Sequence, residues 1–158
     1  MRFHRISQGY LKICDAYFKP EDLKVITSIP NDIRVHILAL RKAQIDVNDD
    51  RRVEESYKQV ADRLFGSDHP EIHFYIFGTK STGDGPLHDR YYITSGNKGI
   101  QIGTSVGGLG NKDTALRERE ADEVAKIESD YVDRMRVNYP SHYHEEKLSL
   151  LTFTLRGA

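Results

Sequence analysis

Runs of alternating apolar and polar residues, and runs with apolar residues at helical spacing, follow one another along the chain and predict an α/β fold. The strand-like runs are rich in β-branched and aromatic residues, and turn-forming residues separate them from helical segments. The predicted strands are residues 10–18, 32–40, 72–77, 87–94, 100–103 and 148–155. The predicted helices are residues 20–29, 53–65 and 114–135.

Each predicted helix carries an apolar stripe that would face the core. The first helix starts at Pro20 with Leu23 and Ile26 in its stripe, and the second ends at Gly66, a residue typical of helix ends. The stripe of the second helix comprises Val53, Tyr57, Val60, Ala61 and Leu64. The stripe of the long charged third helix comprises Leu116, Val124, Ile127, Tyr131 and Met135.

Length and composition limit the class of protein. The 158 residues suffice for one domain, residues 1–158, which stands alone or is one domain of a larger protein. Apolar residues make up 38% and charged residues 30%, as in folded globular proteins. No apolar run approaches the roughly 18 residues of a membrane-spanning helix and the start lacks an apolar signal sequence, so a cytoplasmic location is expected. A single cysteine, Cys14, fits a reducing compartment.

The formal net charge of -1 excludes the strong overall positive field of a basic nucleic-acid-binding domain, so any site for a polyanion must be local. One such site is predicted after the glycine-rich loop at residues 78–86. His88 and Arg90 are two residues apart on a predicted strand and would share one face. The turn Gly103-Thr104-Ser105 adds a backbone that an anion can approach and hydroxyl donors. These residues predict a phosphate cradle, in which Arg90 binds two oxygens.

The run His88-Asp89-Arg90-Tyr91, followed by Ile102-Gly103-Thr104-Ser105, resembles one half-motif of the phospholipase D superfamily. The first predicted strand and helix are similar to those of bacterial phospholipase D-like domains, so that the resemblance extends from about Tyr10 to Lys112. A more distant similarity links the motif to the C-terminal domain of MIT-domain proteins. The resemblance implies a mixed central sheet flanked by helices, built as a domain with a single half-motif.

The resemblance also implies a metal-independent phosphodiesterase with no cofactor. In that family one histidine attacks phosphorus and a second histidine, from a symmetry-related motif, protonates the leaving oxygen. Carried over to this chain, His88 is catalytic, Arg90 takes the place of the phosphate-binding lysine, and Ser105 matches the serine of the turn. A complete site would require a homodimer that pairs two copies of His88. Nucleic acid is a better-fitting substrate than a membrane lipid, because the sequence has no amphipathic membrane element.

The sequence departs from the family pattern at three places and leaves other functions open. Arginine stands for the motif lysine, Ser95 stands near an expected aspartate, and Val106 and Gly107 replace an asparagine. The missing carboxylate could be supplied in space by one of three residues, namely Asp15, Glu118 or Glu120. The departures favour a second hypothesis, a non-catalytic module that binds phosphate groups on nucleic acid, a lipid headgroup or a partner. A third is an interaction domain of a larger protein.

Overall fold

The computed structural model describes residues 9–87, 90–96, 98–102, 116–133 and 141–157. The strands are β1 (Tyr10–Cys14), β2 (Arg34–Leu40), β3 (Ile72–Thr79), β4 (Tyr91–Thr94), β5 (Lys98–Ile102), β6 (Leu116–Arg119), β7 (His142–Tyr143) and β8 (Glu146–Leu155). The helices are α1 (Asp50–Phe65) and α2 (Ala121–Ile127), with 3-10 helices at Pro20–Ser28 and Arg41–Ala43. A π-helical turn, Glu128–Val132, extends α2.

The strands form one open mixed sheet in the order β6-β5-β4-β1-β2-β3-β8-β7. Strands β1, β2 and β3 are parallel, and β4 runs antiparallel to β1 with Cys14 opposite Tyr91. The carboxyl ends of the three parallel strands therefore meet the beginning of β4 at one edge of the sheet. This edge is called the carboxyl edge below.

The larger core lies on one face of the sheet. Ile13, Ile37 and Phe74 stand side by side in the strand register and have no exposed surface. Tyr57 of α1 packs its ring against Phe74 at 4.6 Å between ring centres, and its hydroxyl donates to Gln44 Oε1 at 2.8 Å. Each fully buried side chain of this size contributes about 1.5–3 kcal/mol of transfer free energy. The predicted stripe residues Leu23, Ile26, Val53, Val60 and Ala61 are buried in the same core.

The opposite face holds a smaller core covered by α2. Val124 and Val132 pack there with Ile93 and Leu38. Two salt bridges support the contact, because buried Lys12 of β1 binds Glu128 Oε1 at 3.0 Å and Asp133 Oδ1 at 2.8 Å. These ion pairs join the sheet to the π-helical turn and to the residue that follows it, and thus hold the end of α2 on the sheet.

The predicted long helix at 114–135 is wrong in its first part. Residues Leu116–Arg119 form β6 instead, in antiparallel register with β5. Over four residues, a charged stretch with few apolar residues fits the spacing of a helix and that of a strand equally well. The unpaired backbone groups of β5 provide hydrogen-bond partners for this stretch, and it therefore forms a strand. Val124 is buried as predicted, whereas Tyr131 and Met135 of the predicted stripe lie outside the described side chains.

Other boundaries also differ from the sequence prediction. The first helix is a 3-10 helix, and the strand predicted through Phe18 ends at Cys14. Leu64, assigned to the core, is 38% exposed because α1 turns that side to solvent near its end. The strand predicted from Leu87 begins only at Tyr91. Among the described residues, none of the helices is both long and apolar enough to cross a membrane.

Candidate functional site

Asp15 and Arg90 meet at the carboxyl edge, where β1 ends and β4 begins. Asp15 is 1% exposed, and its Oδ1 accepts a hydrogen bond of 2.9 Å from the backbone N–H of Tyr17. The same oxygen lies 3.7 Å from Nε of Arg90. A carboxylate buried this deeply requires polar partners, and the arginine supplies the opposite charge.

Arg90 is held in place by this ion pair and by an aromatic ring. Its guanidinium carbon lies 5.3 Å from the ring centre of Tyr17, within the range of cation–π attraction. The side chain is 23% exposed, and among the described residues its buried Nε has no hydrogen-bond partner. The buried Nε faces Asp15, and the partial exposure of the side chain leaves a positioned guanidinium at the surface, a group whose planar fork matches a phosphate or a carboxylate.

Lys42 brings a second cation to the same ring. It belongs to the short 3-10 helix that follows β2, and its Nζ lies 5.0 Å from the ring centre of Tyr17. The hydrogen bond from Nζ to Asp84 Oδ1, 2.8 Å long, raises the pKa of Lys42 above its ordinary value. A lysine is charged at neutral pH in any case, and this hydrogen bond further favours the charged form.

The loop between β3 and Arg90 is held against Lys42 by a glycine. Gly83 has a positive φ of 76°, and its carbonyl accepts a hydrogen bond of 3.1 Å from the backbone N–H of Lys42. A Cβ at this position would lie 2.5 Å from the same backbone nitrogen. The glycine-rich composition recognised in the sequence thus serves a close approach of two backbones, which places Asp84 beside Lys42.

Several predicted site residues fall outside the described residues. These are His88, Gly103, Thr104 and Ser105. Arg90 is described and precedes β4, so the prediction that it lies within a strand is wrong, and strand alternation does not determine its direction. Described residues on either side of the predicted cradle, Tyr91 and Gln101, are paired across β4 and β5.

Of the three carboxylates considered as support for a histidine, Asp15 is the one that the structure brings to Arg90. Glu118 of β6 lines an apolar cavity of about 480 Å³ together with Leu11, Ile33 and Ile100, at the opposite end of β1. Glu120 is exposed at the start of α2. Neither glutamate forms a described hydrogen bond or ion pair with Arg90 or Asp15. Their predicted support of His88, which lies outside the described residues, stays a prediction.

The sequence analysis did not include Tyr17 and Lys42 in the site. A usable signal was present, since both residues come shortly after the carboxyl ends of parallel strands, where ligands bind in open α/β sheets.

The residues that the structure describes contain no group of three or more histidine, cysteine, aspartate or glutamate side chains placed to hold a metal ion.

Comparisons of the chain with models of protein families, with curated proteins and with solved structures found no significant match. The structure is a mixed α/β fold with an open eight-stranded mixed sheet.

Proposed function

We propose that this protein binds phosphate groups at the carboxyl edge of its sheet, with Arg90 as the principal anion-binding residue. The observation that carries the proposal is the position of Arg90, which lies between the buried Asp15 and the ring of Tyr17 while its Nε has no hydrogen-bond partner among the described residues. Guanidinium groups bind phosphate oxygens in pairs, and a prearranged side chain loses little conformational entropy on binding.

The location supports the same function. Ligands of open α/β sheets bind outside the carboxyl ends of the strands, and Asp15, Lys42 and Arg90 all lie there. The sequence around Arg90 resembles a phospholipase D half-motif, and this resemblance also implies a phosphate ligand. Nucleic acid is the proposed source of the phosphate groups, ahead of lipid headgroups.

Titration with inorganic phosphate and with dimethyl phosphate, followed by NMR shifts of the backbone amides, tests the proposal. Arg90→Gln should weaken binding by about tenfold or more, since a charge-assisted hydrogen bond of about 1.5–3 kcal/mol is lost. Arg90→Lys should weaken it less, because the charge remains and the planar fork does not. Arg63→Gln, at an exposed site on α1, is the matched control. Equal affinity in all four proteins would refute the proposed function.

A second candidate function is a metal-independent phosphodiesterase that uses His88 in a homodimer. Asp15 favours it, because a buried carboxylate at this edge is the kind of group that fixes the tautomer of a neighbouring catalytic histidine. Hydrolysis of bis-p-nitrophenyl phosphate and cleavage of single- and double-stranded DNA in EDTA test this function. Activity should persist in EDTA, vanish in His88→Ala and survive in His142→Ala, an exposed control. Negligible turnover in all three proteins would refute the phosphodiesterase function, and phosphate binding would then be the proposed function.

A further inference from the structure

Arg90 and Lys42 share one aromatic ring, although they arrive from different elements. Arg90 precedes β4, Lys42 follows β2, and Tyr17 follows β1. The two cations lie 5.3 Å and 5.0 Å from the centre of the Tyr17 ring, so their separation cannot exceed these two distances combined. Tyr17 is 46% exposed, which leaves this part of the carboxyl edge open to a ligand.

From this arrangement we infer that Lys42 forms a second anion subsite beside Arg90, and that the site takes a ligand with two adjacent phosphate groups. This inference rests on the proposed function, in which Arg90 binds the first phosphate. Two phosphates joined by one bridging oxygen, or by one nucleoside, lie closer together than the upper limit that the two ring distances set for the cations. A diphosphate and a nucleic-acid strand therefore share the chemistry that the site recognises.

The ion pair of Lys42 with Asp84 is compatible with binding of a second phosphate. Asp84 is about half exposed, and an exposed ion pair of this kind contributes at most about 1 kcal/mol. An ammonium group also has more N–H donors than the single Asp84 oxygen uses. Asp84 thus helps to hold the Lys42 ammonium near the Tyr17 ring while donors remain for the ligand.

Tyr17 acts in this site as a positioning residue. Its backbone N–H donates to Asp15, the counter-ion of Arg90, and its ring attracts both cations. Loss of the ring should release Arg90 and Lys42 together, whereas loss of the hydroxyl alone should leave the cation–π contacts in place.

The test compares the affinities of inorganic phosphate, pyrophosphate and the 5′-phosphorylated dinucleotide pTpT in magnesium-free buffer. In the unmodified protein, at least one of the two double phosphates should bind about tenfold more tightly than inorganic phosphate, as expected for one added charge-assisted contact. Preference for pTpT would assign the site to a nucleic-acid strand, and preference for pyrophosphate would assign it to a diphosphate ligand.

Two pairs of variants separate this inference from the proposed function. Lys42→Gln should remove the preference for double phosphates and leave the affinity for inorganic phosphate within about twofold, because a neighbouring cation adds little to a single exposed contact. Lys58→Gln removes a lysine with a comparable exposed carboxylate partner, Glu54, and should change nothing. Tyr17→Leu should weaken all three ligands, and Tyr17→Phe should not.

An unchanged preference in Lys42→Gln would overturn the second subsite while Arg90 still accounts for binding of one phosphate. Weaker binding of inorganic phosphate is expected in Arg90→Gln and in Tyr17→Leu, and not in Lys42→Gln. If Arg90→Gln binds phosphate normally, the proposed function fails, and the inference fails with it.

Discussion

Nε of Arg90 lies 3.7 Å from Oδ1 of Asp15, a contact that joins the residue before β4 to the residue after β1. The aspartate is nearly inaccessible, whereas the arginine keeps part of its surface in solvent. The pair therefore combines a structural role, the compensation of a buried charge, with the presentation of a guanidinium at the carboxyl edge.

Substitutions of Asp15 and of Arg90 should have non-additive effects on the free energy of unfolding. Asp15→Asn keeps the shape of the side chain and removes its charge, and should lower the free energy of unfolding by about 1–3 kcal/mol because Arg90 loses its counter-ion. A double-mutant cycle with Arg90→Gln in urea should give a coupling energy of at least about 0.5 kcal/mol. Strict additivity, or an equal loss in the exposed control Asp62→Asn, would show that the pair does not stabilise the fold.

Lys12 should be required for the attachment of α2 to the sheet. Its removal leaves Glu128 and Asp133 without their shared cation, next to the hydroxyl of Tyr10, which donates to Glu128 at 2.6 Å. Burial and then the Glu128 hydrogen bond raise the pKa of Tyr10 to about 12, so this hydroxyl stays a donor and cannot replace the lost charge. Lys12→Met should cost about 3 kcal/mol in unfolding free energy.

Hydrogen exchange locates that effect. Amides of α2 should lose protection in Lys12→Met before those of α1, because the broken salt bridges attach the π-helical turn after α2. Lys58→Met, which removes an exposed lysine, should change stability by no more than about 0.5 kcal/mol. Uniform loss of protection across both helices would contradict the local role of Lys12.

His73 should make the protein less stable in mild acid. Its ring stacks on that of His36 at 5.0 Å between ring centres, and burial lowers the pKa of His73 below the ordinary 6.5 despite the opposing effect of Glu71. The unfolded chain therefore binds a proton more readily than the folded protein, and stability falls as the pH drops below about 7 toward 5. His73→Gln should reduce this slope in urea unfolding.

The exposed His142 provides the comparison, since His142→Gln should keep the slope of the unmodified protein. Glu71, Arg34 and Arg156 also lie near His73, and their charges are common to all three proteins. Identical slopes in the His73 and His142 variants would show that His73 does not contribute.

Gly83→Ala should destabilise the protein more than Gly66→Ala. Both glycines have positive φ values, 76° and 60°, but a Cβ at Gly66 meets no atom within 4 Å, whereas one at Gly83 would collide with the backbone of Lys42. Conformational strain alone should cost about 1 kcal/mol in Gly66→Ala, and the collision should add about 2 kcal/mol or more in Gly83→Ala. Thermal unfolding measures the difference, and equal midpoints would mean that the loop yields without cost.

The sequence by itself determined the local elements whose apolar pattern was strong. The alternating runs around Ile13 and Phe74 and the stripe Val53, Tyr57, Val60 and Ala61 lie where hydrophobic spacing placed them, because burial of those side chains drives the same local conformation in any compatible fold. The sequence likewise marked Gly66 as the end of α1.

Tertiary structure decided what local pattern left open. Residues Leu116–Arg119 are a strand because β5 offers them backbone partners, and neither their propensity nor their charges contain that information. The meeting of Asp15, Tyr17, Lys42 and Arg90 depends on the order of β4, β1 and β2 in the sheet. Contacts between residues distant in sequence arise from strand pairing, which satisfies the backbone hydrogen bonds of the whole sheet at once, and a pattern read along the chain cannot specify them.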